Sequence, residues 1–193
     1  AKGIAKRRPR EKDHPSAGVR RKVNVVRRDD TPFPVFTFTP KRGEAKGNLV
    51  FSHGGAYTNQ LLGVHWQFAA WAARELGCAV HVPVYPLAPE HSWRDTYPAL
   101  LDLYADLRPE GPLWLAGDSA GGGMSLALAQ LAIAAGQQAP DALVLISPWL
   151  DVTADDDEIR QVERRDVMLS VDGLLAAGSM WAGGDDPARF EVS

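Results

Sequence analysis

Two kinds of hydrophobic pattern divide this chain. Residues 23–28 (VNVVRR) and 34–40 (PVFTFTP) alternate apolar and polar side chains, which predicts two strands of a hairpin. Residues 49–53 (LVFSH), 79–85 (AVHVPVY), 113–117 (LWLAG) and 142–147 (ALVLIS) are continuous apolar runs, as burial on both faces requires. Between them the spacing becomes helical. Trp66, Ala69, Ala70 and Ala73 share one face of a helix over 65–77 that stops at a glycine. Further helices are expected over 95–107 and 120–136. From residue 49 onward, strands and helices alternate. That order predicts an α/β fold: a mostly parallel sheet with helices on both faces.

After Ser147 the pattern changes. Residues 151–166 are highly charged, and 167–184 (VMLSVDGLLAAGSMWAGG) read as one or two short amphipathic helices. The acidic run Asp155–Glu158 reads as a solvated loop and helix start, where carboxylates are favoured by the helix dipole. Three segments follow: a basic arm over 1–28, a core over 29–150 and a cap-like helical segment over 151–193.

Length and composition narrow the class. The chain has 193 residues, 45% of them hydrophobic and 23% charged, as in an ordinary globular domain. No apolar run approaches the roughly 18 residues of a membrane helix, so stable membrane insertion is not expected. The basic N-terminus lacks the apolar core of a secretory signal, and a cytoplasmic protein is expected. The single cysteine, Cys78, excludes an internal disulfide framework and reads as a buried packing residue. The net charge of −3 hides an asymmetry: residues 1–28 hold 11 of the 21 basic residues and only Glu11 and Asp13 of the 24 acids. Such an arm can meet nucleic acid, an anionic membrane or an acidic partner. It contains no aromatic residue for base stacking, so no nucleic-acid partner is expected. A solvated leader is the plainer reading.

The chemistry concentrates in "LWLAGDSAGGGMSLALA" (113–129). Gly117-Asp118-Ser119-Ala120-Gly121 fits G-x-S-x-G between an expected strand and an expected helix, the context this motif demands. The reversal from strand to helix strains the serine and brings the residues two before and two after it too close for side chains. Ser119 is the candidate nucleophile, and the Ala120 amide at the helix N-terminus faces any oxyanion beside it. Asp118 should point away from the serine and is not the expected triad acid. Upstream, "FSHGGAY" (51–57) sets two glycines directly after a strand, where backbone N–H groups can reach a developing negative charge. His53 precedes the glycines and reads as a ring that shapes the loop rather than as a base.

"HGGAY", "VYPLAPEH", "GDSAGGGMS" and "SPWLDVT" occur in that order. Together they resemble the hormone-sensitive-lipase-like esterases of the α/β-hydrolase fold, over about residues 48–193. The resemblance implies a Ser-His-Asp carboxylic ester hydrolase without a cofactor or metal, acting on a small-molecule ester. By position it implies Ser119 as nucleophile, Gly55, Ala56 and Ala120 as oxyanion-hole amides, and His53 and Gly54 as the start of the oxyanion motif. Ala56 stands where a third glycine is common, and its amide should serve if its φ is negative. Pro86 replaces the arginine of R-L-A-P-E-H, and Glu90 and His91 read as scaffold. Met168, Leu169, Leu174, Leu175 and Trp181 are candidates for an acyl pocket or for plain cap packing. A homodimer is compatible with the sequence.

One part of the triad is missing. In this fold the order is Ser, then Asp or Glu, then His, yet His14, His53, His65, His81 and His91 all precede Ser119. Asp151 follows the wrong strand to serve as the acid. The chain is therefore expected to lack the C-terminal strands of the sheet and the loops that carry the acid and base. The alternative is a receptor-like protein that binds a small molecule without turnover, or an inactive fragment.

Overall fold

The computed structural model describes residues 14–156 and 158–193. Six strands form one sheet: β1 (Asn24–Arg28), β2 (Val35–Thr39), β3 (Asn48–Ser52), β4 (Ala79–Pro83), β5 (Leu113–Asp118) and β6 (Ala142–Ile146). Their order is β1-β2-β4-β3-β5-β6. The β1–β2 hairpin and the β2–β4 pair are antiparallel, while β4, β3, β5 and β6 run parallel. The alternating runs thus became the antiparallel edge and the continuous runs the parallel centre.

Helices cover both faces. On one side α1 (Ala17–Arg20) and α2 (Gly63–Leu76) pack on Phe36, Phe38, Phe51 and Val80. On the other, α3 (Trp93–Leu107), α4 (Ala120–Ala134) and α6 (Val171–Ala182) pack on Val35, Val50, Leu113 and Leu115. The neighbours Val50 and Phe51 feed opposite layers, as the two-residue period of a strand dictates. Gly77 ends α2 with φ 68°, a left-handed conformation open to glycine at little cost. The start of α3 lies at residue 93 rather than 95, because the Asp95 carboxylate accepts from the Ser92 N–H at 2.8 Å and fixes the first turn. Cys78 is buried, and burial pushes its thiol pKa up.

Two expectations change. The core does not begin at residue 29: Val19 and Val23 are buried and β1 belongs to the sheet, so the second half of the basic arm is part of the fold. Two valines are enough to seat this stretch, and its arginines project to solvent. The arm's residues 1–13 and Asp157 of the acidic run lie outside the described residues. A short helix, α5 (Ile159–Glu163), occupies the charged stretch. Finally, α6 does not read as a cap. Trp181 is fully buried and stacks on Tyr57 at 4.3 Å and 4°, while Met168 is 83% exposed. Gly178 allows this approach, because a Cβ there would lie 2.7 Å from Val152 Cβ.

Candidate active site

The site forms where β5 turns into α4. Ser119 has φ 50° and ψ −121°, a strained region for a residue with a side chain, costing on the order of 1–3 kcal/mol. The surroundings hold it there. Its N–H donates to the Ile146 carbonyl at 3.0 Å, and its own carbonyl accepts from Gly122, Gly123 and Trp149 N–H groups at 2.9, 3.2 and 2.8 Å. A Cβ on Gly117 would lie 2.1 Å from the Gly121 carbonyl oxygen, and one on Gly121 would lie 2.0 Å from that of Ser52. Both flanking glycines are therefore steric necessities. Ser119 does not cap α4 through its side chain. Its half-exposed hydroxyl has no hydrogen-bond partner among the described residues.

The 53–56 turn lies against this elbow. The Gly54 N–H donates to Asp118 Oδ1 at 2.9 Å, and a Cβ on Gly54 would lie 2.3 Å from Asp118 Oδ2. The Gly55 carbonyl accepts from the Thr58 and Asn59 N–H groups, which closes the turn. Among the described residues, the N–H groups of Gly55, Ala56 and Ala120 have no acceptor. Ala120 follows the serine directly, and the turn that carries Gly55 and Ala56 is tied through Gly54 to Asp118, the residue before it. Ala56 departs from expectation, since its φ is 51° rather than negative. The position takes the left-handed conformation that a third glycine would adopt freely, and alanine's single methyl bears the strain.

His53 holds the turn from beneath. Its Nδ1–H donates to the Gly54 carbonyl at 2.7 Å, its ring stacks on Tyr85 at 4.2 Å, and the Tyr85 hydroxyl donates to the His53 carbonyl at 2.6 Å. Burial drives its pKa down to about 4, so the ring is neutral near pH 7. Its Nε2 is buried without a partner. The ring thus braces the turn through Gly54 and Tyr85.

Two participants were not legible beforehand. Tyr85 is one. The other is His65, in the first turn of α2. Its Nδ1 accepts the Leu62 N–H at 2.8 Å and its Nε2 lies 3.5 Å from Asp118 Oδ2. Burial pushes the Asp118 carboxyl up, but the bonds from His65 and Gly54 outweigh it and hold its pKa below the ordinary carboxylate value. Asp118 is thus a clamp between α2 and the oxyanion turn. No sequence signal marks His65, since the contact spans 53 positions.

The fold is shared with known proteins. Residues 49–193 match a family model described as the alpha/beta hydrolase fold. An esterase of Acinetobacter venetianus is 34% identical over 134 residues, 66% of this chain and 44% of that protein. An acetyl-hydrolase of Streptomyces hygroscopicus is 30% identical over 152 residues, 77% of this chain and 50% of that protein. The chain thus spans about half the length of the curated relatives it matches. A crystal structure of an esterase from the bacterial hormone-sensitive lipase family shares the fold, with a TM-score of 0.80 over 89% of this chain and 59% of that one at 24% identity. The family match and the observed fold agree, and the chain belongs to the α/β-hydrolase fold family.

Proposed function

We propose that the protein is a carboxylic ester hydrolase for short and medium acyl esters, working through an acyl-enzyme on Ser119. The observation that carries the reading is the strained serine at the start of α4, with the 53–56 turn tied to the preceding Asp118 and the Gly55, Ala56 and Ala120 N–H groups without an acceptor among the described residues. Ser119 Oγ attacks the ester carbonyl, and the N–H groups of Gly55, Ala56 and Ala120 receive the negative charge on the tetrahedral oxygen. A preorganised donor of this kind contributes about 3 kcal/mol to the barrier. The serine proton passes to the departing oxygen, which leaves as the alcohol, and water then cleaves the acyl-serine, releasing the acid and restoring the Ser119 hydroxyl. Gly117 and Gly121 let the elbow form. The Asp118 carboxylate and His53 hold Gly54, and so keep the next two amides aimed.

The serine needs a base, and the described residues supply none. The His53 Nδ1–H is committed to Gly54 and the His65 ring is held between Leu62 and Asp118. That observation favours a second reading, a receptor-like protein that holds a small ester or acid at the same donors without turnover. Hydrolysis of p-nitrophenyl acetate, butyrate and octanoate by the native protein separates the two. Turnover that Ser119→Ala abolishes supports the esterase. Saturable ligand binding with no turnover, unchanged in rate by Ser119→Ala, supports the receptor.

A further inference from the structure

The outer side of α2 carries a second surface that ester hydrolysis does not use. Between α1 and α2 lies an open groove of about 340 Å³. Its floor is apolar, built by Val19, Val64, Phe68 and Trp71, and its cations are Lys22 and Arg74. Among the described residues no acidic side chain lines it, although Arg74 Nε donates to the neighbouring Glu75 carboxylate at 2.6 Å. Val64 is 61% exposed and Trp71 48% exposed, and Leu62, just before the helix, is 63% exposed. Residues 64, 68 and 71 recur at helical spacing, so this is one continuous stripe. Exposed apolar side chains gathered on one face are unusual for a surface that meets only water.

We infer that this face seats on an anionic lipid surface. The apolar stripe ringed by cations is the composition of an interfacial helix, with Trp71 suited to the boundary between hydrocarbon and water. Lys22 lies on the chain just after α1, next to the exposed Arg20 and Arg21. The preceding residues 1–13 add Lys2, Lys6, Arg7, Arg8, Arg10 and Lys12 against only Glu11 and Asp13. Basic charge therefore collects at Arg20, Arg21 and the groove-lining Lys22 and, along the sequence, before them, while residues 29–193 are net acidic. That asymmetry selects an anionic partner, and the apolar floor, with Val19 and Val64 beside Phe68 and Trp71, offers the contact that the hydrocarbon of a lipid surface fills. The first turn of α2 links this face to the serine: Val64 lines the groove and the adjacent His65 reaches Asp118.

Flotation with phosphatidylcholine vesicles, with and without phosphatidylglycerol, tests the inference independently of any hydrolysis. The protein is expected to float only with the anionic vesicles and to be released by added salt. Each surface cation removed should lower partition roughly fivefold, so Lys22→Gln gives the electrostatic arm of the test. Val64→Ser combined with Trp71→Ser should lower it tenfold or more, with the helical circular dichroism retained because both side chains are about half exposed and neither belongs to the buried core. Partition unaffected by the double variant would show that the basic arm alone binds, and would overturn the inference. So would tighter binding to RNA than to the anionic vesicles, or self-association that shields Trp71 in lipid-free solution.

Discussion

Two buried histidines should make the fold acid-sensitive well above the carboxylate range. His53 lies under the oxyanion turn. His81 lies in β4, its Nε2 paired with Asn48 Oδ1 at 3.0 Å and its Nδ1 with the Thr37 hydroxyl at 3.1 Å. Burial lowers both to about 4. In the unfolded chain each returns to about 6.5. Between these values the unfolded state takes up protons that the native state refuses, so stability falls as pH falls. Each histidine removes about 2 kcal/mol between pH 6.5 and 4.5, and the two together about 4 kcal/mol. That is a large share of the roughly 5–15 kcal/mol that holds a domain of this size. Urea unfolding at pH 6.5, 5.5 and 4.5 reads the loss directly. His53→Asn and His81→Gln should each halve the loss, whatever they do to stability at pH 7. A free energy of unfolding that stays level across this window, or a loss untouched by either substitution, would refute the account of both rings.

Other expectations concern the elbow and the core. Ala56→Gly should relieve the strain of a positive φ, raising stability by up to about 1 kcal/mol while leaving the amide in place and turnover within about twofold; thermal melts and p-nitrophenyl ester kinetics check both. Asp118→Ala removes the acceptor for Gly54 and should cut turnover at least tenfold, a loss of about 1.4 kcal/mol of barrier lowering. Asp118→Asn keeps an oxygen for Gly54 and should recover much of that loss. Trp181→Ala should cost about 3–5 kcal/mol, as for a large core aromatic, whereas Trp181→Phe should cost far less because the indole N–H has no partner to lose. A cap residue would show the reverse, with altered substrate preference and an unchanged melting temperature.

What the sequence disclosed depends on how local each feature is. The elbow could be read because its chemistry is steric and confined to five residues: Gly117 and Gly121 are glycine because their neighbours leave about 2 Å for a Cβ. The oxyanion turn could be read for the same reason, except for the sign of φ at Ala56, which the closure of the turn on Gly55 decides. The Asp118–His65 clamp could not, because it joins a residue on the elbow to one in another helix through space. Nor could α1, a single turn whose one buried valine, Val19, supplies no periodicity to count. The segment 171–182 was apolar enough to pack anywhere. The stack of Trp181 on Tyr57 and the missing Cβ at Gly178 sent it to the core.

The account stands on the Ser119 hydroxyl as the acyl acceptor. The most direct measurement is mass spectrometry of the native protein after treatment with a fluorophosphonate, followed by peptide mapping. The account predicts one adduct, on the peptide that carries Ser119, and none in Ser119→Ala. Labelling of another residue, or equal labelling and ester turnover in Ser119→Ala, would contradict it.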